Sequence, residues 1–235
     1  MVCMKHVLLT LIGLYAALLT VPSAWAMGDY GAELLAIQHT WAEIKYRMPK
    51  SERRNAFASL LRKAESFQHM YPDKADAMVW SAIVLYNYAG EVRGIKALGM
   101  VKKSYRILHR AEKVNPKSLA SDALIHTALG QLYYKIPGWP IAFGDDTKAE
   151  KYLLGGIERT PHGLDANYFM GDYLLRKKQY HRAAIHLRQA IQAPARAQRP
   201  IADAGRKADA LKLLRQAEAQ SIVPLQHSSP EQNDG

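Results

Sequence analysis

The residue types that could carry chemistry in this chain are histidines, a pair of aspartates and one aromatic loop. His181 and His186 are five positions apart and would face different directions on a helix, while His126 and His162 fall on different predicted elements. Zinc ligands must converge on one point, so this arrangement predicts no metal site. The chain also lacks the nucleophile elbow, the phosphate-binding loop and the zinc-protease motif. We therefore expect a protein that is not an enzyme and that uses no cofactor.

The adjacent carboxylates Asp145 and Asp146 have two interpretations. Carboxylates beside a turn are typical calcium ligands. A carboxylate at the start of a helix also accepts backbone N–H groups and interacts favourably with the helix dipole. We favour the second interpretation, in which Asp145 or Asp146 caps a helix that begins near Thr147 and Asp165 caps the helix after it.

The segment from Pro137 to Asp146 contains Trp139, which has a proline and a glycine before it and a proline after it. A segment that only joined two helices would be shorter and more polar. It therefore either packs on the helices or presents Trp139 and Phe143 to a ligand. Packing is the simpler expectation, and recognition is the functional alternative.

The first 26 residues are predicted to be a cleaved signal peptide. Lys5 precedes an apolar run over 7–19, and Ala24 and Ala26 supply small residues at the positions that signal peptidase reads. The run is shorter than the roughly 20 residues that span a bilayer. We expect a periplasmic or otherwise exported protein that is soluble after cleavage and has no transmembrane segment.

Composition indicates a globular protein with a basic surface. Of the 235 residues, 49% are hydrophobic and 23% are charged, a balance that excludes disordered and fibrous classes. The formal net charge is +11, so the surface should attract anions. Export argues against nucleic acid as the partner. The single cysteine, Cys3, precedes the apolar run, so the mature chain is expected to have no disulfide and no lipid anchor.

Hydrophobic periodicity predicts helices along the whole mature chain. The early stretches with helical spacing are 34–48, 57–67, 78–86 and 95–114. Asp73 or Asp76 is expected to cap the third of them. A last helix is predicted over 201–219, where it would cover the apolar face of the helix before it.

Between these stretches, small and apolar residues recur after 45 and then 34 positions. The recurring positions are Ser104, Leu108 and Ala111, then Ala149, Leu153 and Gly156, then Ala183, Leu187 and Ala190. Small residues also occupy Gly130 and Gly171, where a close crossing of paired helices would leave no room for a side chain. A period of 34 residues is that of tetratricopeptide repeats.

On these residues, the chain resembles the tetratricopeptide-repeat superfamily over 118–193. The resemblance implies an all-α fold, a solenoid of helical hairpins with a C-terminal capping helix. The expected domains are a helical repeat domain over 27–219 and a disordered tail over 220–235.

Three segments carry a closer resemblance. They are Tyr134–Pro140, Phe143–Asp146 and Gly163–Asp172, and they are similar to segments of exported bacterial proteins related to the periplasmic T component of TRAP transporters. This resemblance implies that the helices enclose a small amphiphilic ligand.

Tetratricopeptide proteins usually bind along the concave face formed by the first helix of each unit. The repeat pattern places on that face Thr127, Gln131, Tyr134, Lys135, Tyr168, Asp172, Leu175 and Arg176. Tyrosines beside Lys135 and Arg176 would suit an amphiphile or an extended peptide with an acidic group. We expect first an adaptor that binds a protein or peptide partner, and second a protein that encloses a small amphiphile. An open polar groove would favour the adaptor, and an enclosed apolar cavity would favour the small ligand.

Overall fold

A computed structural model of the protein describes residues 29–114 and 119–222. The predicted signal peptide, 1–26, lies outside these residues, as does 223–235 of the predicted tail. The chain divides between Glu33 and Leu34 into two compact units. The helix packing described below belongs to the second unit.

Nine α-helices occupy the described residues, and no β-strand is found among them, so the all-α prediction is confirmed. In chain order the helices are α1 Tyr30–Tyr46, α2 Lys50–Met70, α3 Ala75–Val92, α4 Gly94–Lys113, α5 Leu119–Lys135, α6 Asp146–Arg159, α7 Leu164–Arg176, α8 Tyr180–Gln192 and α9 Pro200–Ile222. None of these nine helices is long and apolar enough to cross a membrane. The last one continues past Ala219, the predicted end of the repeat domain.

The helices pack in two rows. From α2 onward each helix contacts the next one in the chain, and α3 also contacts α5, α5 contacts α7, and α7 contacts α9. Trp41 of α1 packs edge-on against Trp80 of α3, with ring centroids 5.7 Å apart. The odd-numbered helices therefore form one continuous row, and the even-numbered helices form a second row that packs against it.

The recurring small and apolar residues are the contact residues of this packing. All nine of them lie on α4, α6 and α8 and are buried. A Cβ added to Gly130 would lie 2.7 Å from Cγ of Leu153, and one added to Gly171 would lie 2.6 Å from Cγ of Leu187. The predicted close crossings at both glycines are confirmed.

Of the predicted helix caps, one is confirmed and two are wrong. Asp145 accepts the backbone N–H of Lys148 at 3.0 Å and caps α6. The residue before α3 is Lys74, which makes no capping bond, so neither Asp73 nor Asp76 caps that helix. The helix expected to be capped by Asp165 begins at Leu164, after Gly163, so Asp165 lies in its first turn and the Asp165 carboxylate bonds to arginines.

The crossing at Gly171 can be tested with a matched pair of glycines. Gly171→Ala should lower the free energy of unfolding by about 1–3 kcal/mol, because the new methyl group overlaps buried Leu187. Gly99→Ala should raise it by about 0.5–1 kcal/mol, because that helical glycine has open space around it. Urea unfolding of both variants measures the difference. Equal effects would show that Leu187 moves aside without cost.

Candidate functional site

The odd-numbered helices line a cavity, the internal cavity, that is partly open to solvent. Side chains from α1, α3, α5, α7 and α9, with Arg199 just before α9, line a space of about 50 Å³. A second pocket, of about 370 Å³, adjoins it. The two share the lining residues Trp80, Leu124, Thr127, Asp165 and Arg199. The two adjacent pockets together are the candidate binding site.

This space is closed on one side because the first and last helices of the row meet there. Nε2 of His39 on α1 lies 2.5 Å from the carbonyl oxygen of Gln198. A Cβ on Gly205 of α9 would overlap the ring of Tyr46 on α1. Glycine is therefore required at 205 for α9 to approach α1, and this contact closes the row of helices on itself.

Aromatic rings and cations alternate along the cavity wall. Trp41 and Trp80 meet edge to face, Nζ of Lys45 lies 5.9 Å from the Trp41 centroid, and the Arg199 guanidinium lies 5.0 Å from the Trp80 centroid. A cation over an indole face is attracted by the ring quadrupole. These contacts position both cations on the wall without a carboxylate partner.

A buried ion-pair network joins α7 to α9 beside the cavity. Asp165 accepts hydrogen bonds from Nη1 of Arg196 and from Nε of Arg206, both at 3.0 Å. Asp203 pairs with Arg196 at 2.5 Å. Burial alone would raise the pKa of Asp165, but the guanidinium groups of Arg206, Arg196 and Arg199 outweigh it and hold that pKa below its usual range.

Lys45 differs from Arg196 and Arg206 because it has no ion-pair partner in the part of the chain that the structure describes. No hydrogen bond or ion pair to it is found among the described residues. Burial lowers its pKa to about 8, and the positive charge of Arg206 adds to the effect. Burial likewise lowers the pKa of Arg199, although a guanidinium stays charged.

The structure separates the eight predicted concave-face residues, and four of them lie in the cavity wall or the core. Thr127 and Gln131 line the internal cavity. Tyr168 lies beneath the guanidinium of Arg206, 4.5 Å from its ring centroid, and Leu175 is buried in the core.

The remaining four predicted residues form a cluster around a single carboxylate. Asp172 accepts a hydrogen bond from Tyr134 at 2.8 Å and pairs with Lys135 at 2.5 Å and with Arg176 at 3.6 Å. Burial and the Asp172 charge raise the pKa of Tyr134 well above its usual value. Both cations share the Asp172 carboxylate as an ion-pair partner, in contrast to Lys45.

The two predicted loop residues have different environments. Phe143 packs against Tyr105, with ring centroids 4.2 Å apart. The N–H of Gly144 donates to the carbonyl of Pro137 at 2.9 Å, and a Cβ on Gly144 would overlap the Ile136 carbonyl. Trp139 remains 90% exposed. The loop is thus anchored at its base and presents one large aromatic side chain.

Sequence reasoning missed Lys45, Trp80, Arg199 and Arg206. One signal was available: Lys45 follows Trp41 by four positions and so lies on the same helix face. The convergence of α1 and α9 residues could not be read from the sequence, because no local pattern links segments so far apart. Among the residues in the described ranges, no cluster of three histidines or carboxylates could hold a metal ion.

Comparison with known proteins adds no relative. No protein-family model matches the chain, and no curated protein matches it.

The ion-pair network can be tested at Asp165. Asp165→Asn should lower the free energy of unfolding by about 3–5 kcal/mol at neutral pH, because Arg206 would keep a buried charge without its partner. The native pKa of this carboxylate is depressed, so its contribution is complete above about pH 4 and is lost as the pH falls further. The difference in free energy of unfolding between wild type and variant should therefore become smaller below pH 4.

Asp146→Asn is the matched control, since the Asp146 side chain is largely exposed where it pairs with Lys177. It should leave the free energy of unfolding nearly unchanged. A gap between wild type and Asp165→Asn that stays constant from pH 7 to pH 2 would contradict the assignment.

Proposed function

We propose that this protein is a non-enzymatic binding protein that encloses a small amphiphilic molecule between its odd-numbered helices. The observation that carries the proposal is the contact of α1 with α9 at Tyr46 and Gly205, which closes one side of the cavity. A cavity closed on that side and walled by indole rings suits a small ligand better than an extended peptide.

The volume of the site supports a ligand of moderate size. The larger pocket, at about 370 Å³, lies within the roughly 300–1,000 Å³ typical of small-molecule sites. Its wall includes the apolar side chains of Leu124, Leu164 and Pro194. Such a wall favours an alkyl or aromatic body by removing apolar surface from water.

The same proposal includes the relationship to tetratricopeptide repeats and to the T component of TRAP transporters. It is supported by the two rows of helices and by the buried contacts of Leu153 with Gly130 and of Leu187 with Gly171. An enclosed ligand is also what the transporter resemblance implies. On this proposal the protein acts in the periplasm.

Calorimetric titration with 1-decanol, decanoate and decyltrimethylammonium tests the proposal. At least one of them should bind with 1:1 stoichiometry, because all carry the same apolar body. Ala128→Leu should abolish this binding, since the added carbons would fill the cavity that Ala128 lines.

Ala204→Leu is the matched control, because Ala204 is exposed on α9. It should bind the amphiphile as the wild type does. If none of the three compounds binds the folded wild-type protein, the proposed function is wrong.

A protein or peptide partner is the second candidate, favoured by the exposed loop. Trp139 is 90% exposed and Ile141 is 63% exposed, beside a base fixed by Phe143. A rigidly held exposed tryptophan offers the kind of contact that dominates protein interfaces. This surface would serve a docking role separate from the cavity.

Trp139→Ala distinguishes a docking residue from a packing residue. An exposed side chain contributes little to the fold, so the variant should keep its free energy of unfolding within about 0.5 kcal/mol. Capture of a partner from the native envelope should fall by about 30-fold or more, as for a hot spot. Ile95→Ala, at another exposed apolar residue, should not change capture. Equal capture by wild type and Trp139→Ala would exclude the docking role.

A further inference from the structure

The wall of the internal cavity has hydrogen-bond donors that lack acceptors. Nε1 of Trp41 and Nε of Arg199 are buried and have no hydrogen-bond partner within the described part of the chain. The Trp41 side chain is buried, with 4% of the residue exposed. The ammonium of Lys45, on the same wall, is half-buried and has no hydrogen bond or ion pair among the described residues. Buried polar groups are ordinarily hydrogen-bonded, so two unmatched buried donors beside an unpaired ammonium indicate a site for an acceptor.

The charges on the cavity wall are also unbalanced, with more cations than carboxylates. Lys45, Arg199 and Arg206 line the cavity, and Asp165 is the one acidic residue among its lining residues. Three cations against one carboxylate leave an excess of two positive charges. The Asp165 oxygens already accept from Arg206 and Arg196, so this carboxylate does not neutralise the other two cations.

Other nearby carboxylates are also engaged. Asp203 pairs with Arg196, and Asp209 lies 4.0 Å from Arg206. The indole faces attract Lys45 and Arg199, but a π-face does not replace an anionic acceptor for their N–H groups. An anion in the cavity would supply that acceptor.

We propose that the small cavity binds the carboxylate of an amphiphilic anion, while the adjoining pocket holds the apolar body. This inference rests on the proposed function and specifies the ligand class. The carboxylate would accept from Lys45, Arg199 and Trp41 and would compensate the excess charge. The volume of about 50 Å³ suits a headgroup of a few atoms, and the shared lining residue Leu124 connects it to the apolar pocket.

Binding of such an anion should depend on the protonation of Lys45. The charged groups around its ammonium are Arg53 on α2, Lys135 on α5, and Arg206 and Asp209 on α9, with Asp165 and Arg199 on the same cavity wall. The lysine pKa of about 8 in the empty cavity would be raised by a bound carboxylate. Affinity for the anion is therefore highest below pH 8 and falls as the pH rises through 8 toward 10.

Titration of the full-length protein with decanoate and 1-decanol tests this inference, since the two share an apolar chain and differ in charge. At pH 7 decanoate should bind about tenfold or more tightly than decanol, because hydrogen bonds to charged groups are involved. Between pH 7 and pH 10 the affinity for decanoate should fall by about tenfold, and the affinity for decanol should stay constant.

Lys45→Met should remove most of the preference for decanoate and leave the affinity for decanol unchanged. Lys212→Met deletes the same charge at an exposed position of α9 and should change neither affinity. Equal binding of decanoate and decanol by the wild type would overturn the inference and leave the proposed function standing. Absence of binding by either compound and by decyltrimethylammonium would overturn both. The pH profile of the wild type decides the matter even if Lys45→Met does not fold.

Discussion

The buried carboxylate of Asp165 organises the inner face of this protein. Its bonds to Arg196 and Arg206 join α7 to α9 and to the segment that precedes α9. With α9 held there, Gly205 meets Tyr46 of α1 and the row of odd-numbered helices closes. Buried ion pairs are costly to desolvate and costly to break, so this network fixes a position more than it adds stability. The cavity exists because that position is fixed.

Closure of the row of odd-numbered helices brings together more cations than carboxylates. The proposed anion binding depends on this excess of positive charge. Arg196 and Arg206 pair with Asp165, Asp203 and Asp209, whereas Lys45 and Arg199 lie over aromatic rings and have no carboxylate partner among the described residues. On the proposed function, a bound anion would supply the acceptor for these donors. A ligand that supplies a carboxylate gains both hydrogen bonds and charge compensation, which is a physical basis for selectivity among molecules with similar apolar bodies.

The Trp139 loop is positioned by a separate set of contacts. Phe143 fills a space beside Tyr105, and Gly144 allows the loop backbone to approach Ile136 closely. These contacts hold the base without using Trp139. The cavity and the loop do not share side chains, so ligand binding and partner docking could be altered independently.

The sequence by itself determined the helices, their all-α class and the close crossings at Gly130 and Gly171, because each depends on residues near in sequence or recurring at a regular spacing. It also narrowed the cap of α6 to Asp145 or Asp146, and the structure identifies Asp145. The sequence could not determine the partner of Asp165, because the local capping rule assigns this carboxylate to the start of a helix. Only the tertiary structure decided that partner, because Arg196 and Arg206 lie 31 and 41 positions away. The cavity likewise depends on α1 and α9. The contact of His39 on α1 with Gln198, just before α9, spans 159 positions, a separation beyond any periodic signal.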